Sequence, residues 1–105
     1  MKASVTPKKV YEYIPDDILK SFTSFYEKDD IWQIHSGNYW LVIFLYKENQ
    51  IEPNKDLPKY SEIKKGYLKL VNKYLSAEIK EIHLTFDSKE NFENKYGGNF
   101  YNYYH

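Results

Sequence analysis

Three histidines, His35, His83 and His105, are the side chains of this chain best suited to proton transfer or metal binding near neutral pH. Their spacing serves neither role. A metal site needs three or four ligands at recognisable intervals, and the patterns HxH, HxxxH and HExxH are all absent. A base with an orienting carboxylate would need His83 and Asp87 in contact. They sit four residues apart on one face of a strand, roughly 13 Å at the usual rise per residue. Ser88, in "FDSKE", lacks the flanking glycines of a nucleophile elbow. The glycines, Gly37, Gly66, Gly97 and Gly98, fit neither GxGxxG nor GxxxxGK[ST], so no phosphate-cradling loop is expected. The expectation is a chain without catalytic activity, metal or cofactor.

The rest of the composition points elsewhere. At 105 residues the chain is the size of one domain, and residues 1–105 are expected to form a single α+β unit. Its apolar content is 42%, with twelve Tyr, six Phe and two Trp. A tyrosine carries a large apolar body and a polar tip, suited to a core margin or a recognition surface. Fifteen basic residues balance fifteen acidic ones, and every basic residue is Lys. Balanced charge without the forked guanidinium of Arg argues against nucleic-acid readout. The absence of cysteine removes disulfide and thiolate chemistry. The opening "MKASVTPKKV" has charge but no apolar leader region, and the run "YWLVIFLY" is too short to cross a bilayer, so a cytoplasmic protein without membrane contact is expected.

These side chains must be positioned by a small set of elements. Residues 5–14 fit a short strand or a short helix equally, up to Pro15, which holds Ile14 extended. "PDDILKSFTSFYEKDD" reads as a helix ending near Glu27, with Ile14, Ile18, Phe22 and Phe25 as its apolar stripe and Leu19 and Tyr26 beside them. "IWQIHSGNYWLVIFLYKE" reads as a β-hairpin turning at Ser36-Gly37-Asn38, where glycine tolerates the positive φ of a tight turn. Its second arm is apolar on both faces, Tyr39, Leu41, Ile43 and Leu45 against Trp40, Val42, Phe44 and Tyr46, so that strand should be central. "NQIEPNKDLPKYSE" reads as a loop. Pro58 to Ala77 reads as a second helix carrying Tyr60, Ile63, Tyr67, Leu70, Val71 and Tyr74, with a solvated lysine face, and Gly66 allowing close packing on the sheet. In "EIKEIHLTFDS", Ile82, Leu84 and Phe86 alternate with His83, Thr85 and Asp87, which implies one buried and one wet face. Ser88 and Gly97 bracket a short helix as N-cap and left-handed stop. Beyond Gly98, Phe100, Asn102 and Tyr104 alternate with Tyr101 and Tyr103, which suggests a last short strand at a sheet edge.

The architecture expected is therefore two helices packed on an antiparallel or mixed sheet of three to five strands with a central β-hairpin. Surplus rings beside an exposed polar strand row suit protein recognition, because Tyr and Trp bury much area at low entropic cost. The surface expected to bind a partner is His83, Thr85 and Asp87 with Tyr96, Tyr101 and Tyr103. The segment "EIHLTFDSKENF" resembles the late strand of small immunity proteins that neutralise nuclease toxins in Gram-positive bacteria. That resemblance implies an inhibitor or immunity protein, bacterial or phage-encoded, whose partner is a toxin or host protein. A homodimer through the aromatic C-terminal edge is a further expectation. The alternatives are a small-ligand binder or enzyme without a recognised motif, and a single-stranded nucleic-acid binder stacking bases on Trp40, Tyr101 or Tyr103.

Overall fold

A computed structural model describes residues 14–75 and 78–104 of the chain. The N-terminal segment 5–14, except Ile14, and His105 lie outside the described residues. The elements run α1 (Asp16–Tyr26), β1 (Ile31–Ser36), β2 (Trp40–Leu45), a 3-10 turn (Glu48–Gln50), α2 (Ile51–Asn54), α3 (Pro58–Tyr74), β3 (His83–Ser88), α4 (Lys89–Tyr96) and α5 (Phe100–Tyr104). This is an α+β fold on a three-stranded mixed sheet, ordered β1-β2-β3. β1 and β2 form the expected antiparallel hairpin, and β3 returns parallel to β2 after the α3 crossover.

The central strand dictates the layering. Leu41, Ile43 and Leu45 point to one face, where they pack with Ile63, Tyr67 and Val71 of α3 and with Ile18, Leu19 and Phe22 of α1. Val42 and Phe44 point to the other, against Phe92 of α4 and Phe100 and Tyr103 of α5. The sheet is thus covered on both sides, as alternation in a doubly apolar strand requires. The two expected helices are α1 and α3, on the same face. The opposite layer is built by α4 and α5.

Most helix ends follow local chemistry. Asp16 and Asp17 occupy the first turn of α1, where the helix dipole favours negative charge. Pro58 opens α3, where its missing N–H costs no hydrogen bond. Ser88 caps α4, its Oγ accepting from the Asn91 amide at 2.9 Å, and Gly97 ends α4 at φ 63°. The segment expected to be loop contains α2, with Pro53 inside it. Pro53 is the third helical residue, and the first-turn amides have no intrahelical acceptor to lose.

Four expectations are corrected. Residues 100–104 form a helix, not a strand. Asn99 causes this: its Oδ1 accepts from the amides of Tyr101 at 2.8 Å and Asn102 at 3.4 Å, the pattern of an N-cap. Phe100, Tyr103 and Tyr104 then share one helical face, and any homodimer contact through this segment would use a helix surface rather than a strand edge. Phe25 is 64% exposed, and Tyr26 packs against the core in its place, four residues after Phe22 on the same helical face with the two rings 5.2 Å apart. Gly66 makes room for α1, not for the sheet: a Cβ there would lie 3.3 Å from the Phe22 ring. Gly37 is needed for space, not for a left-handed backbone, since positive φ among the described glycines is confined to Gly97 and Gly98. A Cβ on Gly37 would collide with the Trp40 indole, which packs directly over the turn.

Two stability measurements follow from this packing. Gly37→Ala must displace the Trp40 indole and should cost about 1–3 kcal/mol in urea unfolding, with a changed tryptophan emission in the native state. Tyr60 is 1% exposed, and its hydroxyl has no hydrogen-bond partner among the described residues. Tyr60→Phe removes a stranded polar group without changing the ring, so its unfolding midpoint should stay level or rise, by up to about 1 kcal/mol.

Candidate functional site

The face of the sheet under α4 and α5 carries the expected site. β3 presents His83, Thr85 and Asp87 there, in register with Trp40, Val42 and Phe44 of β2. The row from β1 is set by His35 opposite Val42 and Gln33 opposite Phe44, with a bulge between Ile31 and Gln33. α4 and α5 cover this face only in part. At its closed end Phe44 is fully buried, ringed by Trp32, Phe92, Phe100 and Tyr103 at centroid distances of 5.9, 6.2, 5.8 and 5.3 Å. Phe92 and Phe100 stack at 4.0 Å. At its open end Thr85 and His83 are exposed beside the half-buried Trp40.

The structure divides the six expected residues. Asp87, Tyr96 and Tyr103 come together: the Tyr103 hydroxyl donates to Asp87 Oδ2 at 2.7 Å, and the Tyr96 and Tyr103 rings meet edge to face at 4.9 Å. Asp87 Oδ1 accepts from the Ser88 amide at 2.8 Å and from Asn91 Nδ2 at 2.9 Å. Both oxygens of this carboxylate are therefore engaged in holding α4 and α5 on β3. His83 and Thr85 stand apart from that knot on the open shelf. Tyr101 lies on the outer side of α5 and is 69% exposed.

A second pair was not foreseen. His35 Nε2 lies 2.8 Å from Gln33 Oε1, an acceptor, so Nε2 carries the proton. Its Nδ1 then offers a lone pair, and the Tyr104 hydroxyl donates to it at 2.8 Å. The His35 ring also sits 4.2 Å from Phe100 and 5.1 Å from Phe44. Burial among these rings pushes the imidazole below its ordinary value and favours the neutral form. Burial, with the nearby Asp87 charge second, pushes the Tyr104 phenol up to about 12. Tyr103 is also pushed well above the ordinary phenol value, by burial first and the Asp87 hydrogen bond next. The sequence held one clue to this pair, the alternation that places Gln33 and His35 on one face of β1. Tyr104 became legible only with α5 as a helix.

Both nitrogens of His35 are occupied, and each nearby phenol is a weaker acid than a free one. The Ser88 hydroxyl is fully buried, donates to Glu48 Oε2 at 2.7 Å and accepts from the Asn91 amide. Among the described residues no three His, Asp or Glu side chains gather to hold a metal ion, and no helix is long and apolar enough to cross a membrane.

Beside β1 runs an open groove of about 450 Å³, walled by Asp16, Leu19 and Lys20 of α1 on one side and by Trp40 and Tyr104 on the other, with Ile34, His35 and Ser36 as its floor. Trp40 and Tyr104, their rings 6.1 Å apart, form the ridge between this groove and the polar shelf. No protein-family model matches the chain, and neither a curated protein nor a solved structure does.

The His35 bond gives a signed acid response. The fold holds this imidazole neutral, so its contribution to stability is complete above about pH 6.5 and is lost as pH falls below that value. Urea midpoints should therefore drop between pH 7.5 and pH 5, and His35→Gln should flatten that part of the profile. An equally steep acid limb in the variant would assign it to other groups.

Proposed function

We propose that this chain is a non-catalytic protein-binding module that blocks a partner protein, as an inhibitor or an immunity or antitoxin-type protein of bacterial or phage origin. One observation carries the reading: the half-covered sheet face leaves Thr85 and His83 exposed beside the Trp40–Tyr104 ridge, with Tyr39 and Tyr104 half exposed and Tyr101 more so. Rings with polar tips around a polar shelf are what interface anchors look like before a partner arrives. The committed state of His35, Asp87 and Ser88 supports binding over turnover. The cytoplasm is the proposed compartment, because a chain without cysteine depends on no oxidised bond.

The partner would seat an apolar or aromatic group against Trp40 and Tyr104 and meet Thr85 and His83 with hydrogen bonds. Of the six expected residues, His83, Thr85 and Tyr101 are the ones a partner can reach first. Asp87, Tyr96 and Tyr103 support them by fixing α4 and α5. This separates two kinds of substitution: Tyr103→Ala would disturb the helical layer itself, whereas Tyr101→Ala and His83→Ala leave the ring cluster intact.

Affinity capture from lysate of the source cells, with wild type against the Tyr101→Ala/His83→Ala double variant, tests the reading. Wild type should retain one dominant protein, and the variant should lose most of it, by about tenfold or more for an interface anchor. Equal recovery on both columns would remove this surface. Recovery of nucleic acid instead of protein, lost with rising salt, would replace the reading.

A further inference from the structure

We infer that the outer edge of β1, with the groove beside it, is a docking site for an extended polypeptide segment of a partner protein, added as a further strand. The inference shares with the reading above the premise that the partner is a protein, and it uses a different surface. Among the described residues β1 has a strand neighbour on one side only. The antiparallel alternation fixes which main-chain groups face outward. Gly37 donates to the Trp40 carbonyl at 3.0 Å, so Gly37 and His35 turn their polar groups toward β2. Ile34 and Ser36 turn theirs away. The Ile34 amide confirms this parity, since it donates outward to Glu27 Oε2 at 2.8 Å.

Glu27 therefore occupies one outward amide, and among the described residues three outward groups remain without a partner: the Ile34 carbonyl and the amide and carbonyl of Ser36. A strand laid antiparallel along them would form three main-chain bonds, donating to both carbonyls and accepting from the Ser36 amide. Charged side chains commonly guard strand edges against such pairing. Here the guard stands at the Ile34 amide and leaves the hairpin end open.

The groove supplies what strand addition needs for selectivity, namely pockets for alternate side chains. One set of the added strand's side chains would fall toward α1, where Leu19 is flanked by Asp16 and Lys20, four residues apart and so on one helical face. The other set would fall toward the Trp40–Tyr104 ridge. The segment that fits is short and alternating, with apolar or aromatic residues facing the ridge and polar or charged ones facing Asp16 and Lys20. A second copy of this chain fits less well, because pairing β1 with itself would bring two Glu27 carboxylates to the seam.

The test uses the full chain and a phage-displayed library of random linear peptides. Enriched peptides would be synthesised and their footprints read from amide and indole shifts in nitrogen-15 spectra. Shifts should centre on Ile34 to Gly37, on Leu19 and on the Trp40 indole. N-methylation of the peptide residues that face β1 removes their donors while keeping every side chain. It should weaken binding by about tenfold per lost bond, and N-methylation of the intervening residues should do far less. Ser36→Pro deletes the outward amide without touching the β1–β2 ladder and should weaken the same peptides, with circular dichroism verifying the fold. Loss of all peptide binding in a misfolded Ser36→Pro would leave the N-methyl comparison as the deciding measurement. Footprints on His83, Thr85 and Tyr101 would overturn this docking site and leave the protein-binding reading standing. No enrichment above bare support, indifference to N-methylation, or β1 shifts that track self-association would each overturn it.

Discussion

The burial of β2 on both faces is the constraint from which the rest of the structure follows. Leu41, Ile43, Phe44 and Leu45 have no exposed surface. A strand of that kind needs a neighbour on each edge and a layer on each side. The hairpin supplies one edge and β3 the other. The α3 crossover supplies one layer, because a parallel return needs a connection long enough to hold a helix. The second layer has to come from what remains of the chain, and α4 and α5 provide it. Their cover is short, since α4 and α5 together hold thirteen residues, eight and five. Phe44 lies beneath that cover and Thr85 and His83 beyond it. The open shelf is thus the area that a small second layer does not reach.

The aromatic surplus has a physical role in this arrangement. A layer made from two short helices can bury little aliphatic volume, so it relies on large rings. Phe92, Phe100 and Tyr103 enclose Phe44 by edge-to-face and tilted contacts, each worth roughly 0.5–1.5 kcal/mol beyond area burial. The hydroxyls then do what aliphatic side chains cannot. Tyr103 reaches Asp87 across to β3, Tyr104 reaches His35 across to β1, and Tyr67 on the opposite face donates to the Gly37 carbonyl at the hairpin turn. Three tyrosines thereby tie helices to β3, to β1 and to the hairpin turn between β1 and β2. The closing run of rings is an internal fastening along one helical face and an exposed surface along the other.

The parts of the fold that were legible in the sequence share a property: each had one dominant local signal. The hairpin, the central position of β2, the α3 stripe and the alternation of β3 all rest on periodicity sustained over many residues. Ser88 and Gly97 were readable because caps have specific chemistry. Residues 100–104 were misread because five residues alternating between Phe, Tyr and Asn satisfy a period of two as well as one of 3.6. The side chain of Asn99 decides between them, and its weight is visible only when its two amide partners are in place. Phe25 failed for a different reason. Its spacing suited the stripe, but which α1 rings meet the core depends on contacts with α3, such as Phe22 beside Gly66 and Tyr67, between residues far apart in the chain. Within the candidate site, the polar row of β3 was legible from alternation. The Asp87–Tyr103 and His35–Tyr104 bonds join residues separated by 16 and 69 positions. No local pattern encodes such pairs.

The same geometry bears on what kind of work the site can perform. A catalytic base must keep a lone pair available, and a catalytic acid must part with its proton near the working pH. Here the lone pair of His35 is already filled by Tyr104, and burial makes both phenols hold their protons more firmly. Lowering the acidity of the phenols and the basicity of the imidazole moves both away from neutrality, the opposite direction from a tuned acid–base couple. It also makes the Tyr104–His35 bond one of fixed polarity, with the hydroxyl as donor. That fixes the Tyr104 ring on the ridge beside Trp40, and a ring so held is preorganised for contact. Preorganised apolar surface loses little entropy on association, which is where a binding surface gains over a flexible one. In the proposed reading, the ridge owes its readiness for contact to the same bond that occupies the His35 lone pair.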